Sequence, residues 1–353
     1  MIMNETDTVI ILIYMIPAAA LSFIVHLLLH EIGHLLGGLL TGWKLINLQI
    51  YHFALLREKD RMSFRYLPAV NYQCIMYPKS LEADAILYTI GGYRMNLIIA
   101  LIGLLLLFTT KKLLIWSFAW CLFGIGLVFY LINGVPNRRR ICNDKACYLL
   151  IKEKGTTRLC HNVQLMIAKN LNEGMTYQEI GKELLCLNGD KADNDIEVYQ
   201  AILEYYFHLE ANNFIMACKA LDKVREDAAY CKEIADIIAI EQLYLELVLR
   251  LEGIAAEPID ERKYGCNINH YISEHGATGD VHTARIRAVY KAYECVRLGN
   301  INEAITLLNK AGEEIKAMKC LYEGEKIFCI RQVDRIINVI RVNRFLAKGN
   351  ESY

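Results

Sequence analysis

The sequence predicts a mainly α-helical protein: a polytopic membrane core of about three transmembrane helices with a small membrane-associated β-hairpin region, followed by a soluble domain of α-helical hairpins or a solenoid. The chain is 54% apolar and 22% charged and has only 5 prolines, so long disordered tracts are not expected. Almost all of its uninterrupted apolar sequence lies before residue 135, whereas charged residues interrupt every apolar stripe from residue 155 onward. We therefore divide the chain into a membrane core, residues 1–150, and a helical repeat-like domain, residues 151–353.

The first predicted span covers residues 8–40. A helix of that length would reach about 50 Å, whereas the hydrocarbon core of a bilayer is about 30 Å thick. The helix must therefore tilt, bend or break, and Pro17 and Gly33 are the expected places for a bend or break. The residues before this span include no Lys or Arg, which argues against a secretory signal peptide.

Residues 41–80 predict one or two β-hairpins that lie against the membrane surface. Residues 43–56 and 62–77 are rich in strand-forming types, with Pro68 inside the second run, and the charged residues 57–61 form a turn between them. Two further spans follow at residues 83–108 and 113–134, separated by a short turn. Each is close to the length that one membrane crossing needs.

The distribution of charge predicts the orientation of the chain. Lys and Arg are concentrated in the 41–80 loop and at residues 138–140, whereas the N-terminus carries none. By the positive-inside rule the N-terminus lies outside, and the loop and the C-terminal domain are cytoplasmic. The whole chain has 39 basic and 39 acidic side chains, and this balance argues against a nucleic-acid partner.

Two segments of the C-terminal domain resemble each other. Residues 298–304, followed by Leu308, parallel residues 212–217, followed by Leu221, and the first segment is similar to the turn of a tetratricopeptide repeat. The offset of 87 residues is not a multiple of 34, so an intervening repeat, around residues 251–256, would have decayed. A short solenoid and an ordinary helical bundle both remain open. Residues 234–251 predict an amphipathic core helix, because four charged side chains rule out a membrane span.

The cysteine spacing favours free thiols over a disulfide framework. Of 12 cysteines, 8 lie singly after residue 150 inside helical patterns, as expected for small buried apolar side chains in a reducing compartment. Cys142, Cys147, Cys160 and His161 could be taken for a zinc knuckle, but their gaps fit no paired short-spacing pattern.

The motif HEIGH at residues 30–34 predicts a metal site. On a helix, His30 and His34 lie on one face, where both imidazoles can bind one zinc ion. Glu31 is then placed to act as a general base on a metal-bound water. Burying these groups in an apolar run is costly unless they have partners, which favours metal binding over a structural cluster. His26, one turn earlier, could be a ligand or a hydrogen-bond partner of a ligand, but we expect it to line the cavity.

A third ligand must come from another part of the chain, and the pattern after the third span supplies a candidate. The HExxH motif, the sequence Gly-Gly-x-x-x-Asn at residues 91–96, and the sequence Asn-x-x-Pro at residues 133–136 followed by an Asp together resemble the site-2 protease family of intramembrane zinc metalloproteases, over residues 8–150. The resemblance implies a zinc cofactor, a catalytic base, and two side chains that hold an extended substrate backbone. These are, in order, the ligands His30, His34 and Asp144, the base Glu31, and the substrate-binding residues Asn96 and Asn133.

The function we expect from this resemblance is that of a zinc-dependent intramembrane endopeptidase. Its partners would be the lipid bilayer, a membrane-spanning or membrane-associated peptide cleaved near the cytoplasmic face, and a regulator bound by the C-terminal domain. Peptide precursors and membrane-tethered transcription regulators both fit as substrates. The alternative is a catalytically inactive, membrane-anchored helical-repeat scaffold with a structural or vestigial metal site, because Lys145 stands where the family has Gly. A transporter would need paired broken helices that the sequence does not offer.

Overall fold

A computed structural model describes residues 5–58, 61–139, 142–153, 155–187, 191–254, 259–260, 263, 267–276 and 280–350. The described chain is mainly helical and divides into two compact units. One comprises residues 1–66 and 70–166, and the other comprises residues 67–69 and 167–353. The first unit contains, in chain order, α1 (Glu5–Leu40), β1 (Lys44–Glu58), β2 (Arg61–Tyr77), α2 (Ile86–Thr109), α3 (Leu113–Gly134), α4 (Asp144–Glu153) and the first part of α5 (Gly155–Asn172).

Three helices of the first unit are long and apolar enough to cross a membrane, as predicted. The candidate spans are Ile13–Leu40, Ile86–Thr109 and Leu113–Gly134. All three helices pack against one another, yet much of their apolar surface faces outward. Leu105 and Phe108, for example, are 64% and 82% exposed, which would be unfavourable in water and is expected against lipid tails. These features support membrane association.

The predicted break in the first span is absent from the described residues. Helix α1 runs without interruption from Glu5 to Leu40, with Pro17 inside it. Gly33 instead serves close packing, because a Cβ at Gly33 would overlap the backbone carbonyl of Gly91, and a Cβ at Gly91 would overlap that of Gly33. The two glycines let the backbones of α1 and α2 approach each other, as small residues commonly do between membrane helices.

A single antiparallel hairpin, β1 with β2, occupies the region where we predicted one or two hairpins. Its ladder has irregularities between Leu45 and Asn47 and between Tyr51 and Phe53. At the second irregularity the register steps from Tyr51 opposite Asn71 to Phe53 opposite Tyr66, so β2 contains extra residues there, Pro68 among them. Proline is tolerated there because no ladder hydrogen bond requires its missing N–H. Residues 59–60 of the predicted turn lie outside the described residues.

The second unit is built from short helices and helical hairpins. Its elements are α6 (Tyr177–Ile180), α7 (Lys182–Leu185), β3 (Ala192–Asn194), α8 (Asp195–Glu210), α9 (Phe214–Asp222), β4 (Val224–Ala229), α10 (Lys232–Leu251), α11 (Ile268–His275), α12 (Val281–Arg297), α13 (Ile301–Ala317) and α14 (Glu323–Asn350). Strands β3 and β4 pair in parallel, a small sheet that the helical sequence pattern does not predict.

The two segments that resemble each other in sequence form the same turn. Asn212 and Gly299 both have a left-handed backbone, with φ of +58° and +80°. The next residue in each case donates its N–H to the carbonyl five residues back, at 2.9 Å for Asn213 and 2.8 Å for Asn300. This bond is typical of a Schellman helix end.

The likeness continues into the second helix of each hairpin and then stops. Ala217 and Ala304 are both fully buried, and Leu221 and Leu308 are buried one turn later. Helix α9 ends at Asp222, whereas α13 continues to Ala317.

A similar helix end occurs at Gly253, where Ile254 donates to the carbonyl of Leu249. Residues 255–256 of the predicted decayed repeat lie outside the described residues.

Candidate metal centre and its cavity

His30 and His34 of α1 and Asp144 at the start of α4 converge in the first unit. Oδ2 of Asp144 lies 3.3 Å from Nε2 of His30 and 3.4 Å from Nε2 of His34. The two Nε2 atoms are 3.3 Å apart. Ligands at 2.0–2.1 Å from a zinc ion, at the corners of a tetrahedron, are about 3.3–3.4 Å from one another. The three atoms therefore have the spacing of three tetrahedral zinc ligands.

Two further features fit a metal ion at this point. Oδ2 of Asp144 is buried and has no hydrogen-bond partner among the described residues, which is costly for a carboxylate unless a cation binds it. Gly92 of α2 faces the same point, because a Cβ there would lie 2.6 Å from Nε2 of His30 and closer still to Nε2 of His34. Any side chain at residue 92 would thus occupy the space that the ligand atoms surround.

The ring of His34 is oriented by helix α2. Nδ1 of His34 donates to the carbonyl of Tyr88 at 2.7 Å, which leaves the lone pair on Nε2 and directs it toward the site. Tyr88 is itself fixed on both sides. Its hydroxyl donates to the carbonyl of Cys74 on β2 at 2.8 Å, and its ring stacks on Trp43 with 4.8 Å between centroids.

The ring of His30 is oriented by Asn96, which lies between His30 and His26. The Asn96 amide nitrogen is 2.9 Å from Nδ1 of His30, and its oxygen is 3.1 Å from Nδ1 of His26. Nε2 of His26 is 2.9 Å from the carbonyl of Leu122 and must donate to it. A neutral His26 therefore accepts at Nδ1, which requires the Asn96 amide to be turned by 180°, an exchange of N and O that leaves the heavy-atom positions unchanged. The Asn96 oxygen then accepts from Nδ1–H of His30, and the His30 lone pair is on Nε2, where a metal needs it.

The side chain of Asn143 fixes the position of Asp144. Its amide nitrogen donates to the carbonyls of Ile132 and Val135 at the end of α3, both at 2.7 Å. Its oxygen accepts from the N–H of Ala146 at 3.1 Å and so caps helix α4. Because one side chain ties the end of α3 to the first turn of α4, Asp144 is held against the two histidines.

A cavity of about 500 Å³ adjoins the three ligand atoms. Glu31 lies in its wall, 6% exposed, and the backbone of Cys74 hydrogen-bonds to its carboxylate. The 15 lining residues come from α1, β2, α2, α3, α4, α5 and the α3–α4 connection: His30, Glu31, His34, Tyr72, Gln73, Cys74, Ile75, Tyr88, Thr89, Asn133, Cys142, Asn143, Asp144, Cys147 and His161.

Two cavity-wall groups outside the candidate spans are neutral at pH 7. Burial, with a smaller contribution from the negative charge of Glu31, raises the pKa of the Cys74 thiol to about 12. Burial lowers the pKa of His161 to about 4, although its hydrogen bond with Asn162 opposes the shift. Cys74 is therefore a protonated thiol and His161 a neutral imidazole.

The structure brings together most, but not all, of the residues that the sequence singled out. His30, Glu31, His34, Asp144 and Asn133 all border the cavity. Asn96 does not border it. Its side chain is fully buried and contacts Nδ1 of His30, so it lies beside the imidazole and not in the cavity wall.

The remaining candidates fall outside the ligand set. His26 is fully buried and bonds to Asn96 and Leu122, so it neither lines the cavity nor faces the ligand atoms. Among the described residues, Cys142, Cys147, Cys160 and His161 do not form a group of converging donors. The ammonium of Lys145 lies 4.6 Å from the ring centroid of Tyr148 and is absent from the cavity wall, so this departure from the family pattern does not fill the site.

The roles of two site residues were not predicted from the sequence. Asn143 could have been recognised as a helix cap, since it directly precedes an acidic first helical residue. Gly92 belongs to the Gly-Gly-x-x-x-Asn sequence that carries the resemblance, but its position beside His30 and His34 was not predicted, because those residues are about sixty positions away in the chain. Comparisons of the chain with protein-family models, with curated proteins and with solved structures found no match.

Proposed function

We propose that this protein is a zinc-dependent intramembrane endopeptidase that cleaves a membrane-spanning or membrane-associated peptide. The observation that carries the proposal is the set of three donor atoms, His30 Nε2, His34 Nε2 and Asp144 Oδ2, at mutual distances of 3.3–3.4 Å with a buried carboxylate beside them. Three protein ligands with a fourth position open toward a cavity are typical of catalytic zinc sites. The resemblance of residues 8–150 to the site-2 protease family supports the same activity.

His30, His34 and Asp144 would hold the zinc ion, which when bound polarises the scissile carbonyl and lowers the pKa of the attacking water. Glu31 lies one position after the first ligand and would accept the proton from that water and pass it to the leaving amine. Asn96 and Tyr88 keep the two imidazole lone pairs directed at one point. Gly92 keeps that point free of side-chain atoms.

Strand β2 offers a way to hold the substrate in an extended form. A helical peptide bond has its carbonyl engaged within the helix, so the substrate must unwind before cleavage. Residues 72–75 of β2 border the cavity, and among the described residues β1 is the strand that pairs with β2. An unwound substrate could pair with residues 72–75 through main-chain hydrogen bonds on the side away from β1. Asn133, which also borders the cavity, would contact the substrate backbone.

The orientation and the second unit complete the proposal. The positive-inside rule puts the N-terminus outside and the second unit in the cytoplasm, so cleavage would occur near the cytoplasmic face. The second unit would act as a tetratricopeptide-like recognition domain. It contains a groove of about 660 Å³ whose wall includes Asn212, Asn338 and Asn343. Their amides can both donate and accept, which suits a substrate tail or a regulator bound through its main chain.

The substitution Glu31→Gln tests the activity. It removes the base but leaves the three ligands in place, so purified protein should keep its zinc while cleavage falls by at least about 100-fold, the lower bound for loss of a general base. The measurement is a survey of new protein N-termini in membranes of cells that express the wild type or the variant. Termini inside apolar segments should appear with the wild type alone.

The matched control is Glu82→Gln, an exposed carboxylate between β2 and α2 that is absent from the cavity wall. This variant should cut as the wild type does. Cleavage retained in Glu31→Gln would refute the mechanism. If the wild type binds zinc but yields no termini that depend on Glu31, the result would favour the alternative of a membrane-anchored helical scaffold with a structural metal site.

A further inference from the structure

A second cluster of side chains whose types can bind a metal ion lies in the helical unit, more than 40 residues after Asp144 in the chain. Glu204 and His208 are one turn apart on α8, and Cys186 directly follows α7. One donor atom from each lies within 4.8 Å of the other two. Glu204 and His208 are 6% and 7% exposed, whereas Cys186 is partly exposed, so the cluster is buried on one side and accessible on the other.

The contacts of His208 distinguish a metal site from a catalytic relay. Cys186 Sγ lies 3.7 Å from Nε2 of His208, and Oε1 of Glu204 lies 3.9 Å from that same Nε2. In a Cys-His-Glu relay the thiol and the carboxylate contact opposite nitrogens of the ring. Here both approach one nitrogen, an arrangement that places three donors around a common point.

The distances are close to those of a zinc site. A sulfur at about 2.3 Å and a nitrogen at about 2.0–2.1 Å from a tetrahedral zinc ion are about 3.6 Å apart, compared with 3.7 Å for Cys186 and His208. The Glu204 oxygen needs to move inward by about half an ångström. A thiolate with an imidazole and one carboxylate selects zinc over calcium or magnesium, which prefer oxygen ligands alone.

The surrounding side chains hold the donors in place. Nζ of Lys223 donates to Oε2 of Glu204 at 2.6 Å, which leaves Oε1 directed toward His208. Hydrogen bonds of this kind to the second carboxylate oxygen are usual for metal ligands. Nε2 of Gln200, one turn before Glu204, donates to the carbonyls of Leu184 and Leu185 at 3.2 and 3.0 Å and so fixes the end of α7 next to Cys186.

We propose that Cys186, Glu204 and His208 form a second zinc site, with a fourth position open to water on the exposed side of Cys186. The site joins the end of α7 to helix α8 and belongs entirely to the helical unit. The site is independent of the proposed protease activity. Within the second unit, a bound ion would link the end of α7 to helix α8.

Cobalt substitution of the purified full-length protein in detergent tests the site without any variant. Cobalt bound through Cys186 should produce a sulfur-to-metal charge-transfer absorption, which the first site cannot produce because its three donors contain no sulfur. Zinc analysis should give two ions per chain. One ion per chain without the sulfur band in the cobalt protein would overturn the proposal.

Paired substitutions then separate the two sites. Cys186→Ser should remove the sulfur band and one zinc ion, and His34→Ala should remove one zinc ion and keep the band. The matched control Cys218→Ser, at a partly exposed thiol on α9 of the same unit, should change neither. A helical circular dichroism spectrum and a urea unfolding midpoint equal to those of Cys218→Ser show that Cys186→Ser is folded. A sulfur band that persists in Cys186→Ser would refute the assignment. A wild-type protein that shows the sulfur band but binds one zinc ion per chain, an ion that His34→Ala does not remove, would count against the proposed function only.

Discussion

The two units of this protein both bury ionisable side chains, but they balance them differently. In the helical unit, Glu241 of α10 is 1% exposed and is paired with Arg285 of α12, which is fully buried. The hydroxyls of Tyr205 and Tyr206 donate to the two oxygens of the same carboxylate at 3.1 and 3.0 Å. In the membrane unit, the donors His30, His34 and Asp144 converge, and the described residues of the cavity wall include no Lys or Arg.

This difference indicates what each cluster is for. A buried carboxylate is tolerated when a cation and hydrogen bonds compensate it, and Arg285 with the two tyrosines does so for Glu241. The charge of the Glu241 carboxylate is compensated within the protein, which indicates a structural role for this pair. The membrane cluster offers three lone-pair donors to one point and lacks the cation. The same physical requirement therefore predicts that an ion from outside the chain completes it.

Removal of Arg285, the cation that is paired with Glu241, should have the largest effect on stability. Arg285→Ala leaves Glu241 buried without its ion pair, and breaking such a pair costs about 3–5 kcal/mol of unfolding free energy. Urea unfolding of the full chain in detergent, followed by helical circular dichroism, measures the loss. Lys310→Ala is the control, because Lys310 and its partner Glu314 are 75% and 62% exposed and such a pair contributes less than about 1 kcal/mol.

The pH dependence of the same variant sharpens this test. Burial by itself would raise the pKa of Glu241, but the charge of Arg285 and the hydrogen bonds from His282 and Arg285 outweigh it and lower the pKa to about 2. A lowered carboxyl pKa gives stability that is present above about pH 4.5 and is lost as the pH falls toward 2. Arg285→Ala should weaken this acid dependence. An unchanged acid dependence, or a stability loss no greater than that of Lys310→Ala, would contradict the structural role.

The space between the ligand atoms can be filled without substituting any of the three ligand residues. Gly92→Ala places a methyl group 2.6 Å from Nε2 of His30, so the imidazoles must move apart. We expect zinc affinity to fall by about 100-fold, the upper end of the range for disturbed ligand orientation. Competition with a chelator measures it. Gly124→Ala on α3, where a Cβ meets nothing within 4 Å, should bind zinc as the wild type does. Equal affinities of the two variants would mean that no ion occupies this point.

The sequence predicts the local features of the protein better than the distant ones. The pair His30 and His34 is one turn apart on a helix, so its shared face follows from helical geometry alone. The three spans are likewise read from apolar runs whose lengths match a bilayer, and the mainly helical class with three candidate spans and a small antiparallel sheet is confirmed at that level.

What the sequence could not predict depends on contacts between distant residues. The buried pair of Glu241 and Arg285 joins two helices, and the charged pattern of residues 234–251 predicts only that some of these side chains face solvent. The approach of Cys186 to α8 depends on how α7 ends. Asp144 was proposed as a ligand from the family resemblance, and the contacts that hold it, made by Asn143, became visible only in the folded chain.

Asn96 and Asn133 provide the finest comparison, because the resemblance implies one role for both and their contacts differ. Asn96 is fully buried and bonds to His30 and His26, whereas Asn133 borders the cavity and donates to the carbonyl of Phe129 at 3.4 Å. Asn96→Ala should lower zinc affinity by about 10-fold, because His30 loses the acceptor that fixes its tautomer. Asn133→Ala should leave zinc affinity unchanged and raise KM, because it removes a substrate contact and not a ligand contact.

The measurements that separate the two roles are zinc competition and the kinetics of cleavage on one substrate found in the survey of N-termini. Asn96→Asp keeps an acceptor oxygen beside Nδ1 of His30 and should recover most of the affinity that Asn96→Ala loses. If both alanine variants keep full zinc affinity and raise KM alike, Asn96 holds substrate as the family resemblance implies. The orienting role then fails, because a residue that fixes only the imidazole tautomer cannot alter KM while the metal stays bound with unchanged affinity.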